Sequence, residues 1–288
     1  MNNKTRGVKY LSYWNMSMQK PGYCLIILGV VFFSSLASAQ TAKTYPKGEW
    51  YLSWGYNTER YTRSNVHINQ PALGNDYTFN RIKGHDKKGW DHGLLHKAIS
   101  IPQYNYRLGY FFNPRNGWGV EINFDHTKFI FEDGQDASLT GKLGGKATDT
   151  TVRFSKEDGF YYYLNNGANF LLFNLVKRWE LLSTKDGKLK LDFLGKAGIG
   201  PVIPHVENSF FGDANKPGFQ LGGWNTGLEG TLKATFFTYA FLEYANKLDY
   251  ARYSNLKIYE GTAKHAFGTY EMILSIGVNL PVGKRTAL

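Results

Sequence analysis

Cysteine is nearly missing from this chain: there is one in 288 residues, Cys24, and it sits in an apolar stretch close to the start. Nothing after it can form a disulfide or a thiolate metal site. Long apolar runs are also missing. Beyond the first forty residues no stretch approaches the roughly 20 apolar residues that a helical span requires, and a mean hydropathy of −0.39 is too polar for a bundle of such helices. No phosphate-cradling glycine loop, Walker motif or nucleic-acid module is present, and the 32 glycines are scattered. What the chain does have excludes disorder: 42% of it is apolar and 16% aromatic.

The first 39 residues read as a signal peptide. Lys4, Arg6, Lys9 and Lys20 make a basic stretch without an acid, residues 24–36 are apolar, and Ala37-Ser38-Ala39 supplies the small residues of a cleavage site before Gln40. Part of the formal charge of +11 therefore belongs to the leader. Residues 40–288 are then the mature domain, outside the inner membrane, where nucleic acid is not an expected partner.

That domain alternates with period two. Trp50, Leu52, Trp54 and Tyr56 share one face; so do Tyr104, Tyr106, Leu108, Tyr110 and Phe112, and then Trp118, Val120, Ile122 and Phe124. Five later segments repeat the pattern, around Leu171 to Trp179, Leu189 to Ile199, Trp224 to Leu232, Leu242 to Tyr244 and Tyr270 to Leu280. Eight strands follow. Short turns after the second, fourth and sixth strands alternate with long polar loops after the others, the arrangement of an outer-membrane barrel.

Charge separates this from a soluble barrel. One face collects Arg107, Arg178, Lys190, Lys196 and Lys233 with Glu121, Asp125, Asp192, Glu229, Glu243 and Glu271, while its opposite is almost free of charge at mid-strand. Lys or Arg at the bilayer midplane of a barrel costs about 2–4 kcal/mol, so the clean face fits lipid. Eight strands enclose only side chains. The expected fold is all-β: an eight-stranded antiparallel up-and-down transmembrane β-barrel with a plugged interior. A monomer in the outer membrane of a Gram-negative cell is expected. The first long loop, residues 59–100, reads as a solvated segment with His67, His85, Lys87, Lys88, His92 and His96; its sharper reading is contact with anionic lipopolysaccharide.

Continuing the lipid-facing parity upward, polar residues replace apolar ones near the long-loop end. The third strand reaches His126 and Lys128, the fourth Asn169, the fifth His205 and Glu207, and the sixth Gln220. One such residue is ordinary where a strand enters the headgroup zone. Four consecutive strands doing so suggest a shared site, although one bulge would turn any of these side chains inward. Two His and a Glu could hold a divalent metal or act as acid and base, with Asn and Gln orienting a substrate.

The pieces Pro102-Gln103-Tyr104-Asn105-Tyr106-Arg107, His126-Thr127-Lys128, Asn166-Gly167-Ala168-Asn169, Pro204-His205-Val206-Glu207, Phe219-Gln220-Leu221-Gly222-Gly223 and Phe241-Leu242-Glu243-Tyr244 resemble those of the lipid A oxidase-like outer-membrane proteins. The resemblance implies oxygen-dependent oxidation of the proximal glucosamine of lipid A, with dioxygen as oxidant. On it, His126, His205 and Glu207 would be catalytic or metal-ligating, and Lys128, Asn169 and Gln220 substrate-binding, with Lys128 on a lipid A phosphate. A lipid A deacylase fits less well, because Lys128 stands where a His-x-Ser pair would need serine. The alternative of another class is a structural or adhesive barrel that catalyses nothing.

Overall fold

Strands that alternate between lipid and a packed interior form where every second side chain is large and apolar, and the described residues of the computed structural model form seventeen strands. It describes residues 46–87, 103–113, 115–164 and 167–283; the leader, Lys88, His92, His96, Pro102, Asn166 and residues 284–288 lie outside them. In chain order the strands begin with β1 (Gly48–Tyr61), β2 (Ser64–Gln70), β3 (Asn75–Ile82), β4 (Gly84–His85), β5 (Tyr104–Asn113) and β6 (Trp118–His126). Then come β7 (Phe129–Phe131), β8 (Asp136–Leu143), β9 (Lys146–Arg153), β10 (Tyr161–Leu164), β11 (Phe170–Ser183) and β12 (Leu189–Pro201). The last are β13 (Glu207–Phe210), β14 (Asp213–Asn215), β15 (Gly223–Phe236), β16 (Ala240–Ile258) and β17 (Gly261–Val282).

Eight of these close a barrel in the order β1-β5-β6-β11-β12-β15-β16-β17, every neighbour antiparallel, and β17 returns to β1 from Gly48↔Val282 to Tyr61↔Thr269. The eight expected strands are these eight. Their outer wall is the apolar face: Leu52, Leu108, Ile122, Leu175, Ile199, Leu228, Leu248 and Leu274 are all exposed. Exposed Trp118, Trp179, Phe236 and Tyr239 lie towards the short-turn end, and Trp224, Tyr250 and Tyr270 towards the other, as in the aromatic girdles of a membrane barrel.

The interior is filled and paired. Arg107 makes a two-pronged contact with Glu229 at 2.6 and 2.9 Å. Lys196 meets Glu121 at 2.8 Å and Glu229 at 3.1 Å. Lys247 stands among Asp125, Asp249 and Glu271 at 2.5, 3.2 and 3.4 Å. Near the short-turn end Tyr51, Phe111, Val176, Leu194 and Phe241 form an apolar plug, and the Lys233 ammonium lies 3.6 Å from the Phe241 ring centre. These buried charges are tolerated because opposite charges answer them within the same clusters.

The long connections are where the expectation needs correction. Residues 59–87 and 132–158, in two of the long connections, are not open loops in the structure. Glu59 is buried within β1, β2 and β3 form a hairpin extending the sheet beyond β17, and β8 and β9 extend it further. A second sheet, β14-β13-β10-β7-β4, takes β4 from the first of these connections, β7 and β10 from the second, and β13 and β14 from the connection after β12. Val66, Ile68, Tyr77 and Phe79 of the first sheet join Phe129, Phe131, Tyr162 and Phe210 of the second in one aromatic core above the barrel. The Phe129 and Phe267 rings stack at 4.3 Å, and Phe79 meets Phe154 edge-on at 4.9 Å. The long-loop end is thus a packed β-platform.

Candidate functional site

His126 ends β6 on the lipid-facing parity, where its ring stacks on Tyr104 of β5 at 4.7 Å. Its Nδ1 is 2.8 Å from Oδ1 of Asn169. Asn169 is buried and adopts a left-handed backbone at φ 38. Its amide also donates to the Ile203 carbonyl at 2.9 Å, and its own carbonyl accepts the Ile203 N–H at 3.0 Å. Gly167 makes room for this: a Cβ there would fall 2.1 Å from Asn169 Oδ1. Glycine is therefore demanded at 167 by the side chain two positions on.

The same backbone anchors His205, whose N–H donates to the Gly167 carbonyl at 3.0 Å. The His205 ring is buried and packs edge-on against Phe219 at 5.1 Å. Gln220 donates its N–H to the Pro204 carbonyl at 3.2 Å, and its Oε1 accepts the Lys257 N–H at 3.1 Å. Phe219 and Leu221, on either side of Gln220, are 63% and 76% exposed, so the loop carrying it presents bare apolar side chains. Four of the six expected residues, His126, Asn169, His205 and Gln220, are therefore tied to one stretch of rim, His126 through its ring and the others through backbone hydrogen bonds.

The other two are not. Lys128 is buried instead of standing on the lipid-facing wall, and its carbonyl accepts the Tyr61 hydroxyl at 2.9 Å. Glu207 belongs to β13 in the second sheet, pairs with Lys216 at 2.6 Å, and lines a depression of 440 Å³ with His85, Lys87, Ile130, Lys156, Tyr161 and Tyr163. Parity failed for both because the chain leaves the barrel wall after His126 and after Pro201, and a count begun on one sheet says nothing about the next. No group of three or more His, Cys, Asp or Glu residues able to hold a metal exists among the described residues. His126, His205 and Glu207 therefore do not come together as the three-ligand metal site that was one reading of them. A larger apolar depression of 880 Å³, between Leu175, Phe193 and Leu228 on the lipid-facing wall, contains none of the six.

A histidine that sequence reasoning passed over sits in the platform core. His265 lies on β17 above the Tyr250–Tyr270 girdle, with Nδ1 3.2 Å from Ser64 Oγ and Nε2 3.1 Å from the Tyr162 hydroxyl. Ser64 donates its own proton to the Ala266 carbonyl at 2.9 Å. The imidazole must then donate from Nδ1 and accept at Nε2, a neutral ring with both nitrogens satisfied. Ser64 is buried and already committed, so the pair is a core network and no nucleophile. Burial pushes the His265 pKa down to about 3.

An acid response follows. Below the ordinary histidine pKa of about 6.5 the unfolded chain takes up a proton that the folded platform refuses, so stability is lost as pH falls from there towards 3, at about 1.4 kcal/mol per unit. Between pH 6.5 and pH 5 the platform should lose about 2 kcal/mol. Hydrogen exchange of the β2, β10 and β17 amides at the two pH values measures it. A His265→Phe variant, weaker at neutral pH, should show a flatter profile; equal acid sensitivity in both proteins would refute the assignment.

No family model and no curated protein sequence matches the chain. Among solved structures it is similar to Ail, the attachment invasion locus protein of Yersinia pestis, at 16% identity over 81% of this chain and 99% of that one, with a TM-score of 0.32. OprG of Pseudomonas aeruginosa follows at 12% identity, 82% and 97% coverage and 0.36, and the outer membrane protease OmpT of Escherichia coli at 10%, 84% and 99%, and 0.35. All three are outer-membrane proteins, but likenesses this distant carry no argument for this chain; its barrel rests on its own closure and outer belt. They also give the resemblance to lipid A oxidase-like proteins no support.

Proposed function

We propose that this chain is an outer-membrane barrel whose working part is the extracellular β-platform, in a structural or adhesive role that involves no catalysis. The observation that carries this is the platform itself: connections that span the long-loop end are built into two sheets around a shared aromatic core, a rigid surface held clear of the membrane. Its depression at Tyr161 and Tyr163, whose rings stack at 5.1 Å, is bordered by Lys87, Lys156 and His85. Stacked rings beside cations suit a sugar carrying an anionic group.

An array of neutral, sulfated and carboxylated glycans, probed with the full chain in nanodiscs, tests the adhesive role. Binding confined to the acidic glycans and weakened about tenfold by Tyr163→Ala with Lys156→Ala supports it. Indifference to glycan charge, or an unaffected double variant, goes against it.

One observation favours a second reading, modification of lipid A by oxidation of its proximal glucosamine. The His126–Asn169 pair and His205 stand at the outer rim beside exposed Phe219 and Leu221, at the level a lipid headgroup would occupy. Mass spectra of lipid A from cells carrying the wild-type chain, His126→Ala, His205→Ala or no gene would decide it. An added oxygen present only with the wild type supports oxidation; identical spectra throughout end that reading.

A further inference from the structure

On β17 the outward side chains run Leu274, Met272, Tyr270, then Gly268 and Ala266, then Lys264. The apolar belt therefore gives way to two positions almost without side chain. The strand pairings set their flanks: Leu248 and Arg60 face Tyr270 from either side, Tyr250 faces Gly268, and Arg252 faces Ala266. Over Gly268 lies a depression of 340 Å³ bordered by Arg60, Thr62, Leu248 and Tyr270, with the buried Asp249 at its edge. Over Ala266 lies another of 530 Å³, lined by Arg63, Asn65 and Arg81. Two residues of strand, about 7 Å, separate their floors.

Arg81 is placed there by a deliberate irregularity. Phe79 and Ile82 are both fully buried, so simple alternation would turn position 81 inward. Instead the β2–β3 register slips between Ser64 and Val66, Arg81 takes a left-handed backbone at φ 55, and its N–H donates to Asn65 Oδ1 at 2.7 Å. A bulge of this kind re-aims one side chain, and a non-glycine residue in that conformation carries strain. Arg60, Arg63, Arg81 and Arg252 are all exposed. None has an ion pair or side-chain hydrogen bond among the described residues. The carboxylates Glu59, Asp249 and Glu271 of the same strands are buried within the barrel, and Asp76 on β3 is held by His67 at 2.7 Å.

We infer that this trough docks the phosphorylated headgroup of an outer-leaflet glycolipid, with Arg60, Arg63, Arg81 and Arg252 contacting its phosphates. Guanidinium forks match phosphate oxygens in pairs, and unpaired cations directly above a lipid-facing wall meet anionic headgroups first. The floor continues into Leu248 and Tyr270, so the occupant must be anionic above and apolar below. Arginines at two heights, Arg60 beside the lower depression and Arg63 with Arg81 in the upper, ask for two anionic groups on one headgroup, which a glycolipid with two phosphates supplies and a single phosphodiester does not. The inference rests on the barrel crossing a membrane, and on neither the glycan depression nor the rim histidines.

The test is native mass spectrometry of the full chain in detergent, titrated with bisphosphorylated lipid A, with the same lipid after phosphatase treatment, and with phosphatidylglycerol. The wild type should retain the bisphosphorylated lipid at least about tenfold better than either alternative. Replacing all four arginines by glutamine should remove that preference, with heat-modifiable gel migration confirming a folded barrel. Gly268→Leu fills the floor without touching a charge; a Cβ there would lie 3.3 Å from Thr62 Cγ2, so the Thr62 methyl must give by a few tenths of an ångström, and the same gel migration checks the fold. It should reduce retention similarly and serves if the fourfold variant does not fold. Undiminished retention by either folded variant, or equal retention of phosphatidylglycerol, overturns the proposal.

Discussion

Replacing Lys247 by Met is expected to cost the barrel about 3–5 kcal/mol or more, read from urea unfolding in micelles by tryptophan fluorescence. The ammonium is buried and is the shared partner of Asp125, Asp249 and Glu271. Glu271 is linked in turn through the Asn57 amide, at 2.6 Å on each side, to Glu59, which also accepts a hydrogen bond from Gln103. Losing one cation leaves a run of buried carboxylates facing one another. That penalty exceeds anything the removed methylenes contribute to packing. Adding Asp125→Asn to Lys247→Met should restore part of the loss, since it removes one of the stranded charges. A loss below about 1 kcal/mol, or no recovery in the double variant, would refute this account.

Arg107→Leu should cost about as much for a different reason. Arg107 is fully buried on β5 and reaches across the barrel to Glu229 on β15 with both prongs of its guanidinium, while Glu243 lies 4.0 Å away. Its loss leaves Lys196 alone to answer Glu121 and Glu229. Arg107→Lys should recover only part, being still short by about 1–3 kcal/mol, because a single ammonium cannot span two carboxylate oxygens in that geometry. Unfolding of Arg107→Leu, Glu229→Gln and the pair together separates the contact from general damage. Additive losses would show that the two groups stabilise the barrel independently.

The barrel was legible because lipid outside and a plugged interior impose opposite demands on neighbouring residues, and Trp118 to Phe124 or Tyr270 to Leu280 cannot satisfy both except by strict alternation. The interior charges were legible for the same reason. The platform was not, although Val66 and Ile68 or Tyr77 and Phe79 alternate too. Their strands are short, and β2 pairs with a strand almost two hundred residues away, as Lys264↔His67 shows, so nothing local announces the partner. Parity placed His126 on the outer wall, then failed at Lys128, Asn169 and His205, which are buried beyond the ends of the barrel strands, and at Glu207, where the chain had already changed sheets. Arg81 was invisible to parity for the opposite reason: a bulge exists there to break it.

β17 pairs with β16, with β1 along the barrel seam, and with β2 in the platform. It also contributes Ala263 and Phe267 to the aromatic core. This shared use imposes an order of assembly. Seam contacts such as Gly48↔Val282 join nearly the two ends of the described chain, so they close late. Until β17 arrives, β2 has no neighbour on that side and the aromatic residues of the second sheet have no wall to pack on. A folded platform is therefore itself a report that the strand closing the barrel beneath it is in place.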